Sequence, residues 1–376
     1  MSCPYLKLCG GCPQRHKTEA EYKKQKEAFV KQILSEISTP FSWSNPIFIK
    51  DGTRRRASLA FEYRKGKLTL GFNRYNSNDI VDVENCALLC AELNNLIPFL
   101  RKLMQEICSV PLQIKKGKKT LSQTINKGDI WLCVLDGGID VVLEYDAPLS
   151  LEHRMILFEA VNSNPQIIRL SHRCNANDVA EPIIEKSKPT LTIGGVNVSI
   201  PAGTFLQPSK EGEEALICIV KKYLGESCGK IADLFCGVGT FSYALAQNRI
   251  NKILAADASV ELLKSFQETI NRNQIPNIKI VTRNLFKYPL DTEELKDIDV
   301  VVFDPPRAGA AAQAKVMSLM PIDSRPQKII AISCNPATFV NDANALIQGG
   351  YKLQEVTMVD QFTYSNHSEL VALFTN

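Results

Sequence analysis

The chain has 376 residues, 45% hydrophobic and 22% charged, with a net charge of +4 at pH 7. That length allows two or three domains, each burying a core, and the composition is that of a soluble globular protein. No apolar run approaches the roughly 20 residues of a membrane-spanning helix. The opening Met-Ser-Cys-Pro-Tyr-Leu-Lys-Leu-Cys lacks the basic start and apolar core of a secretion signal, so a cytoplasmic protein is expected.

Residues 1–16 form a cysteine-rich hook, Cys3-x5-Cys9-x2-Cys12, with Gly10-Gly11 permitting a tight turn around a ligand. In a reducing cytoplasm, clustered cysteines point to a metal or a cluster rather than to disulfides. Cys86 or Cys90 is available as a fourth ligand, and four thiolates suit either zinc or an iron–sulfur cluster. Next, Tyr22, Phe29, Ile33 and Ile37 recur at helical spacing, which predicts an amphipathic helix over 19–37.

Residues 43–200 favour strands. Ala57, Leu59, Phe61 and Tyr63 alternate with small or polar residues, as do Leu68, Leu70 and Phe72, with turns expected at Gly66 and at Gly71-Phe72-Asn73. A helix is expected over 88–107. A strand pair, 130–135 and 140–144, turns at Asp136-Gly137-Gly138. The basic runs Arg54-Arg55-Arg56 and Lys115-Lys116-Gly-Lys118-Lys119 are candidate phosphate contacts.

Beyond residue 203 strands and helices alternate. Strands are expected at 231–235, 253–256, 278–282, 300–303 and 329–333, with helices at 211–224, 240–248, 259–273, 310–320 and 337–348. Such alternation implies a parallel sheet with right-handed crossovers, closed here by strands at 351–359 and 369–374. The expected fold is therefore α/β, a Rossmann-like domain (203–376) behind a β-rich central domain. That central part divides into 1–90, with the cysteine cluster, and 91–202.

Ligands of open parallel sheets bind outside the carboxyl ends of the strands. The first strand ends in Asp233-Leu-Phe-Cys-Gly237-Val-Gly239-Thr240, whose glycines allow close approach of a ligand. This Gly-x-Gly is compatible with a dinucleotide, but it lacks a third glycine, and Asp257 closes the second strand, which favours S-adenosylmethionine. Asp304-Pro305-Pro306-Arg307 ends the fourth strand. An arginine in place of an aromatic there argues against amine methylation, and the absence of a cysteine argues against cytosine-C5 methylation. Ser333-Cys334-Asn335-Pro336 instead places a cysteine at the end of the fifth strand. A thiolate adding to carbon 6 of uracil turns carbon 5 into a nucleophile, and a base must then remove the carbon 5 proton. Cys334 is the candidate nucleophile and Glu369, before the last apolar strand, the candidate base.

Together these segments resemble the RNA 5-methyluridine methyltransferases, which act on tRNA or 23S ribosomal RNA. Cys3-Pro-Tyr-x3-Cys9-Gly-Gly-Cys12-Pro-x-Arg-His16 is similar to that family's iron–sulfur hook, and Asp82-Val-Glu-Asn-Cys86 to its fourth ligand. Leu70-Gly-Phe72, Ile200-Pro-Ala-Gly203-Thr-Phe-Leu-Gln207-Pro, Asp233-Leu-Phe-Cys-Gly-Val-Gly, Asp304-Pro-Pro-Arg-Ala-Gly309, Ser333-Cys-Asn-Pro-Ala-Thr-Phe339 and His367-Ser-Glu369 match in order. The resemblance implies a [4Fe-4S] cluster on Cys3, Cys9, Cys12 and Cys86, Cys334 as nucleophile and Glu369 as base. It implies S-adenosylmethionine held at Gln207, Phe235, Gly237, Thr240, Asp257, Asn284 and Asp304. Asp257 stands where a longer glutamate is common, and Asn284 where an aspartate is often found.

The resemblance also implies an enzyme that acts as a monomer, without membrane, on a loop uridine of structured RNA, 23S rRNA ahead of tRNA. Many relatives carry a small β-barrel RNA-binding domain before the cluster; with a cysteine at residue 3, none is expected here, and RNA falls to the central domain. The alternative from another class is a cluster-bearing RNA-binding or redox-sensing protein with a vestigial methyltransferase fold. Retention of Cys334, Glu369 and the glycine loop argues against it.

Overall fold

A computed structural model of the protein describes residues 3–116, 119–226 and 229–376. The chain forms two compact units, one of Met1–His16, Lys50–Leu191 and Pro201–Lys210, the other of Lys17–Ile49, Thr192–Ile200 and Glu211–Asn376. The units interleave along the chain, unlike the consecutive segments expected from the sequence, because the helix and strands of residues 17–49 pack on the second unit's sheet.

The first unit is built on a seven-stranded sheet. Its strands are β1 (Arg56–Arg64), β2 (Lys67–Asn73), β3 (Ile80–Asp82), β4 (Lys127–Leu135), β5 (Gly138–Glu144), β6 (Ile167–Arg173) and β7 (Glu181–Glu185). They lie in the order β7-β6-β5-β4-β1-β2-β3, antiparallel except for the parallel pair β5–β6. Helices α1 (Ala91–Ser109) and α2 (Leu151–Ser163) share one apolar core with it, in which Leu59, Leu70, Leu96, Leu100, Val141 and Leu157 are fully buried. The β1–β2 hairpin turns on Lys65 and Gly66, both left-handed (φ 51° and 77°). Gly71 was expected in a turn but lies inside β2. A Cβ there would stand 2.0 Å from the Val81 carbonyl, so glycine serves the close approach of β3. A buried bidentate pair, Arg169 to Asp140 (2.8 Å at both contacts), ties β6 to β5.

The second unit carries a nine-stranded sheet. Its main elements are α3 (Lys210–Leu224), β8 (Lys230–Leu234), α4 (Thr240–Ala246), β9 (Lys252–Asp257), α5 (Val260–Arg272), β10 (Ile278–Thr282), β11 (Val300–Phe303), α6 (Ala311–Leu319), β12 (Lys328–Ser333), α7 (Pro336–Gln348), β13 (Lys352–Asp360) and β14 (Glu369–Thr375). The order is β10-β9-β8-β11-β12-β14-β13. The first five are mutually parallel, whereas β14 runs antiparallel to both neighbours. Strand β11 and residues 329–332 of β12 read as unbroken apolar runs because they are buried on both faces. The order reverses between β8 and β11, which opens a crevice at the carboxyl ends of these two strands.

Residues 17–49 belong to this unit. Helix Glu19–Leu34 buries Tyr22, Lys26, Val30 and Leu34, and Val30 and Leu34 share a core with Val340, Leu346, Met358 and Phe374. Strands Ser42–Trp43 and Ile47–Phe48 then add, parallel, to β13. The buried face is one turn-register off the expected one: Phe29 is 46% exposed, and a lysine occupies the core stripe instead. No helix among the described residues is long and apolar enough to cross a membrane.

Candidate active site

The crevice is built first by the end of β8. Phe235 follows the strand with φ 60°, and Gly237 and Gly239 are left-handed as well (φ 54° and 96°). This succession folds the chain back so that α4 begins at Thr240 with Gly239 as its cap. A Cβ at Gly239 would stand 2.5 Å from the Phe266 ring, so the position demands glycine for space as well as for φ. Beneath the loop, Asp233 is fully buried and accepts from Ser242 Oγ at 2.5 Å, and burial pushes its carboxyl up to about 7.

Asp257, at the end of β9, holds the loop from the side. Its Oδ2 accepts from Gly237 N (3.0 Å) and its Oδ1 from Ser259 N (2.9 Å). Each oxygen keeps a second lone pair for a ligand hydroxyl. Past β10, the exposed Asn284 uses its side-chain carbonyl to accept from Phe286 N (3.1 Å) and Lys287 N (3.3 Å). That orientation makes it a hydrogen-bond donor toward a ligand, where an aspartate would only accept. Phe286, which the sequence reading did not single out, brings its ring to 5.3 Å from that of Phe235. Its only signal was an aromatic two residues beyond Asn284.

On the other side of the crevice Asp304 follows β11, its amide donating to Leu234 O (3.3 Å). Burial and the Asp233 carboxylate both raise its pKa. Phe235, Gly237, Thr240, Asp257 and Asp304 thus gather at the carboxyl ends of β8, β9 and β11. Gln207 is in the first unit, buried, with its backbone carbonyl accepting from Arg55 Nε (3.1 Å).

One strand further, Ser333 pairs with Leu370 in the antiparallel ladder of β12 and β14. Cys334 follows Ser333, Glu369 precedes Leu370, and the Glu369 charge acts on the thiol. Asn335 caps α7, its side chain accepting from Ala337 N, with Pro336 at the first helical position. Asn335 Nδ2 and Thr338 Oγ1 also donate to the Arg307 carbonyl (3.2 and 3.3 Å), locking the cysteine turn to the loop after β11. The thiol is half-buried. Burial, then the charges of Glu369 and Asp304, push it up to about 11, while Arg307 pulls the other way. Glu369 itself is buried. Arg307 Nη2 lies 3.1 Å from His367 Nε2 at the open side; the sequence reading had given neither residue a role.

In the first unit Cys3, Cys9, Cys12 and Cys86 line one small cavity with Tyr5, Arg15 and Leu88. Gly10 N donates to Asn73 O (2.9 Å), seating the hook on the end of β2. Arg15 hydrogen-bonds Cys12 and pairs with Asp51 at 2.6 Å. Among the described residues, no three Cys, His, Asp or Glu side chains converge as ligands of a single ion. A single zinc needs its sulfurs about 2.3 Å from one point. A four-iron cluster gives each iron its own thiolate, so its ligands surround a volume, as these four do.

The run Arg54-Arg55-Arg56 does not form one basic face. Arg55 is buried on Gln207, Arg54 is half-buried near Cys86 and Cys12, and the Arg56 guanidinium lies 4.0 Å from the centre of the exposed Phe205 ring. Extended backbone alternates its side chains, which splits the run. In the second run, Gly117 and Lys118 lie outside the described residues, as do the side chains of Lys115, Lys116 and Lys119.

Residues 25–376 match the family described as tRNA (uracil-5-)-methyltransferase. An uncharacterized RNA methyltransferase of Brucella melitensis is 33% identical over 375 residues, spanning 100% of this chain and 84% of the relative. The 23S rRNA (uracil(1939)-C(5))-methyltransferase of an Enterobacter species is 29% identical, spanning 99% and 81%. Among solved structures, the tRNA (uracil-54, C5)-methyltransferase of Pyrococcus abyssi, in complex with S-adenosyl-L-homocysteine, superposes with a TM-score of 0.73. It is 22% identical over 98% of this chain and 86% of that one.

Proposed function

Because this chain belongs to the tRNA (uracil-5-)-methyltransferase family and is an RNA uracil-C5 methyltransferase, we propose that it methylates one loop uridine of 23S rRNA, by covalent catalysis through Cys334. Preference for 23S rRNA over tRNA rests on the likeness to the Enterobacter 23S rRNA enzyme along nearly the whole chain. The observation that carries the chemistry is the apposition of Cys334 and Glu369 one strand from Asp304, at the same end of the sheet as the glycine loop.

S-adenosylmethionine, when bound, supplies an electrophilic methyl group. Phe235, Gly237, Thr240, Asp257, Asn284 and Asp304 are the residues of this unit that would hold it. The left-handed loop leaves its backbone open for close approach, Asp257 has acceptor capacity, and Asn284 has donors.

Cys334, as thiolate, adds to carbon 6 of the uracil, and the electron pair of the 5,6 double bond moves onto the ring as an enolate. Carbon 5 of that enolate would then take the methyl group, the methyl–sulfur bond breaking so that S-adenosylhomocysteine leaves. Glu369 removes the remaining carbon 5 proton, the double bond reforms, and the thiolate leaves. Reaching carbon 6 requires the base to leave its stack, which favours a loop or bulge. Arg56 stacked on the exposed Phe205 gives the first unit a platform for an unpaired base.

The four cysteines around the hook cavity are assigned a [4Fe-4S] cluster, with Arg15 beside Cys12 offsetting thiolate charge. The cluster is given a structural role, joining the hook to the loop that carries Cys86.

The deciding experiment incubates the protein with labelled S-adenosylmethionine and total RNA from a strain lacking this gene. The labelled nucleoside is expected to be 5-methyluridine, mapping to 23S rRNA. RNA containing 5-fluorouridine should trap the protein covalently, because fluorine cannot leave as a cation. Cys334→Ala should abolish both results while still binding the cofactor. In Glu369→Gln, a methylated RNA–protein adduct should accumulate. Turnover by Cys334→Ala at the wild-type rate would refute the covalent route.

A further inference from the structure

Lys26 is the anomaly of the second unit. It lies on helix Glu19–Leu34 with a fully buried side chain, on the stripe where an apolar residue is expected. Burying an ammonium is costly unless it is paired and all its donors are used. Here they are used. Nζ donates to Ser365 O and His367 O, both at 2.6 Å, and lies 3.3 Å from Asp360 Oδ1.

These partners are not scattered. Asp360 ends β13, Glu369 opens β14, and Ser365 and His367 belong to the connection between them. Tyr22, one turn before Lys26, donates its hydroxyl to the other oxygen of Asp360, and its ring lies 4.5 Å from Tyr364. Tyr364 is held left-handed at φ 59°. Within the loop, His367 N donates to Ser365 Oγ (3.1 Å). On its outer side His367 meets Arg307, whose own carbonyl is tied to Asn335 and Thr338 around Cys334. The loop is therefore clamped at its entry, at its middle and one residue before Ser368-Glu369, and two of those points are a single ammonium.

We propose that Lys26 is a positioning residue for the active site: by bridging the Ser365 and His367 carbonyls it fixes the 361–368 loop, and thereby the place of His367 and Glu369. This rests on the assignment of Glu369 as base. A methylene chain with one terminal cation suits the task. It reaches from a rigid helix through the core, donates to two carbonyls of the loop and sets its charge beside Asp360 at the hinge. Burial lowers the pKa of this ammonium, and the Asp360 carboxylate opposes that shift.

The test uses the full chain. Lys26→Met removes the clamp, and the pair Lys26→Met with Asp360→Asn does so without leaving an unpaired carboxylate, should the single variant fold poorly. Hydrogen exchange at residues 361–369 should quicken by about tenfold or more while β8, β9 and β11 keep their protection. With total RNA from the gene-deleted strain, kcat should fall by roughly tenfold with KM for S-adenosylmethionine unchanged, and covalent adduct should accumulate as in Glu369→Gln. Unchanged exchange in the loop overturns the proposal. So does a general loss of protection accompanied by a raised KM, which marks a merely structural lysine. Adduct in Glu369→Gln but none in the Lys26 variants breaks the link between clamp and base. If the loop loosens selectively while Glu369→Gln gives no adduct, the clamp stands and the assignment of the base fails instead.

Discussion

Cys334 and Glu369 flank the last pair of the β12–β14 seam, Cys334 following Ser333 and Glu369 preceding Leu370. A carboxylate so placed repels a thiolate, and with burial and Asp304 it pushes the thiol up to about 11. In the RNA-free protein Cys334 is therefore held as a thiol. Alkylation of Cys334 by iodoacetamide, read by peptide mass spectrometry, should rise about tenfold per pH unit through neutrality and level off only near pH 11. Glu369→Gln removes one negative charge, lowers the thiol pKa, and should speed alkylation at pH 8. A plateau below pH 9 in the wild type would contradict this arrangement. A bound sulfonium cation would act in the same direction as Glu369→Gln, so adding S-adenosylmethionine should also accelerate the reaction.

Gly239→Ala should damage both stability and cofactor binding. The substitution combines a left-handed φ of 96° with a Cβ driven into the Phe266 ring. A loss on the order of 2–4 kcal/mol is expected from strain and overpacking together. Thermal unfolding and calorimetric binding of S-adenosylhomocysteine check it. Gly237→Ala is the control: it shares the left-handed φ, but nothing lies within 4 Å of its Cβ, so it should destabilise less.

The arginines of the 54–56 run should separate by role. Phe205→Ala removes an exposed ring and should weaken RNA binding by about 1–3 kcal/mol with little change in fold stability. Arg56→Ala should lower affinity and flatten its salt dependence. Arg55→Ala should instead lower the melting temperature, because it abandons the buried Gln207 carbonyl. If all three lower affinity equally, the run works as one electrostatic surface after all.

For the hook, anaerobically purified protein should be brown and hold about four irons and four sulfides per chain. Cys9→Ala or Cys12→Ala should bleach it and expose residues 3–16 to proteolysis. Stoichiometric zinc without iron would overturn the assignment.

The doubly wound half of the fold was legible because its strands announce themselves. Val300–Phe303 and Ile329–Ile332 are apolar throughout, and the glycine loop and Asn335-Pro336 mark where helices begin. The central half was less so. Helix α2 was not foreseen, since Leu151, Met155 and Phe158 are exposed while His153, Leu157 and Val161 are buried, leaving no single apolar stripe. Strand β6 hid behind Arg169, Ser171 and His172, which read as solvent-facing yet are buried, Arg169 against Asp140. The same blindness to paired polar residues misplaced the inner face of the first helix by skipping Lys26. Polarity in a sequence gives no sign of a partner supplied from elsewhere in the chain.

Tyr22 and Asp360 are 338 residues apart in the chain. During synthesis the first helix emerges early and must wait, with a lysine on its core stripe and no counter-charge, until almost the whole polypeptide has left the ribosome. Contacts of such separation form late, and their absence leaves a half-made sheet exposed to aggregation or proteolysis. A nascent chain interrupted before β13 and β14 would lack the partners of the first helix and of strands Ser42–Trp43 and Ile47–Phe48 together. Quality control is thus written into the connectivity: Cys334 can be translated before Glu369 exists, but the second unit becomes a stable body only when residues 17–49 have met β13 and β14.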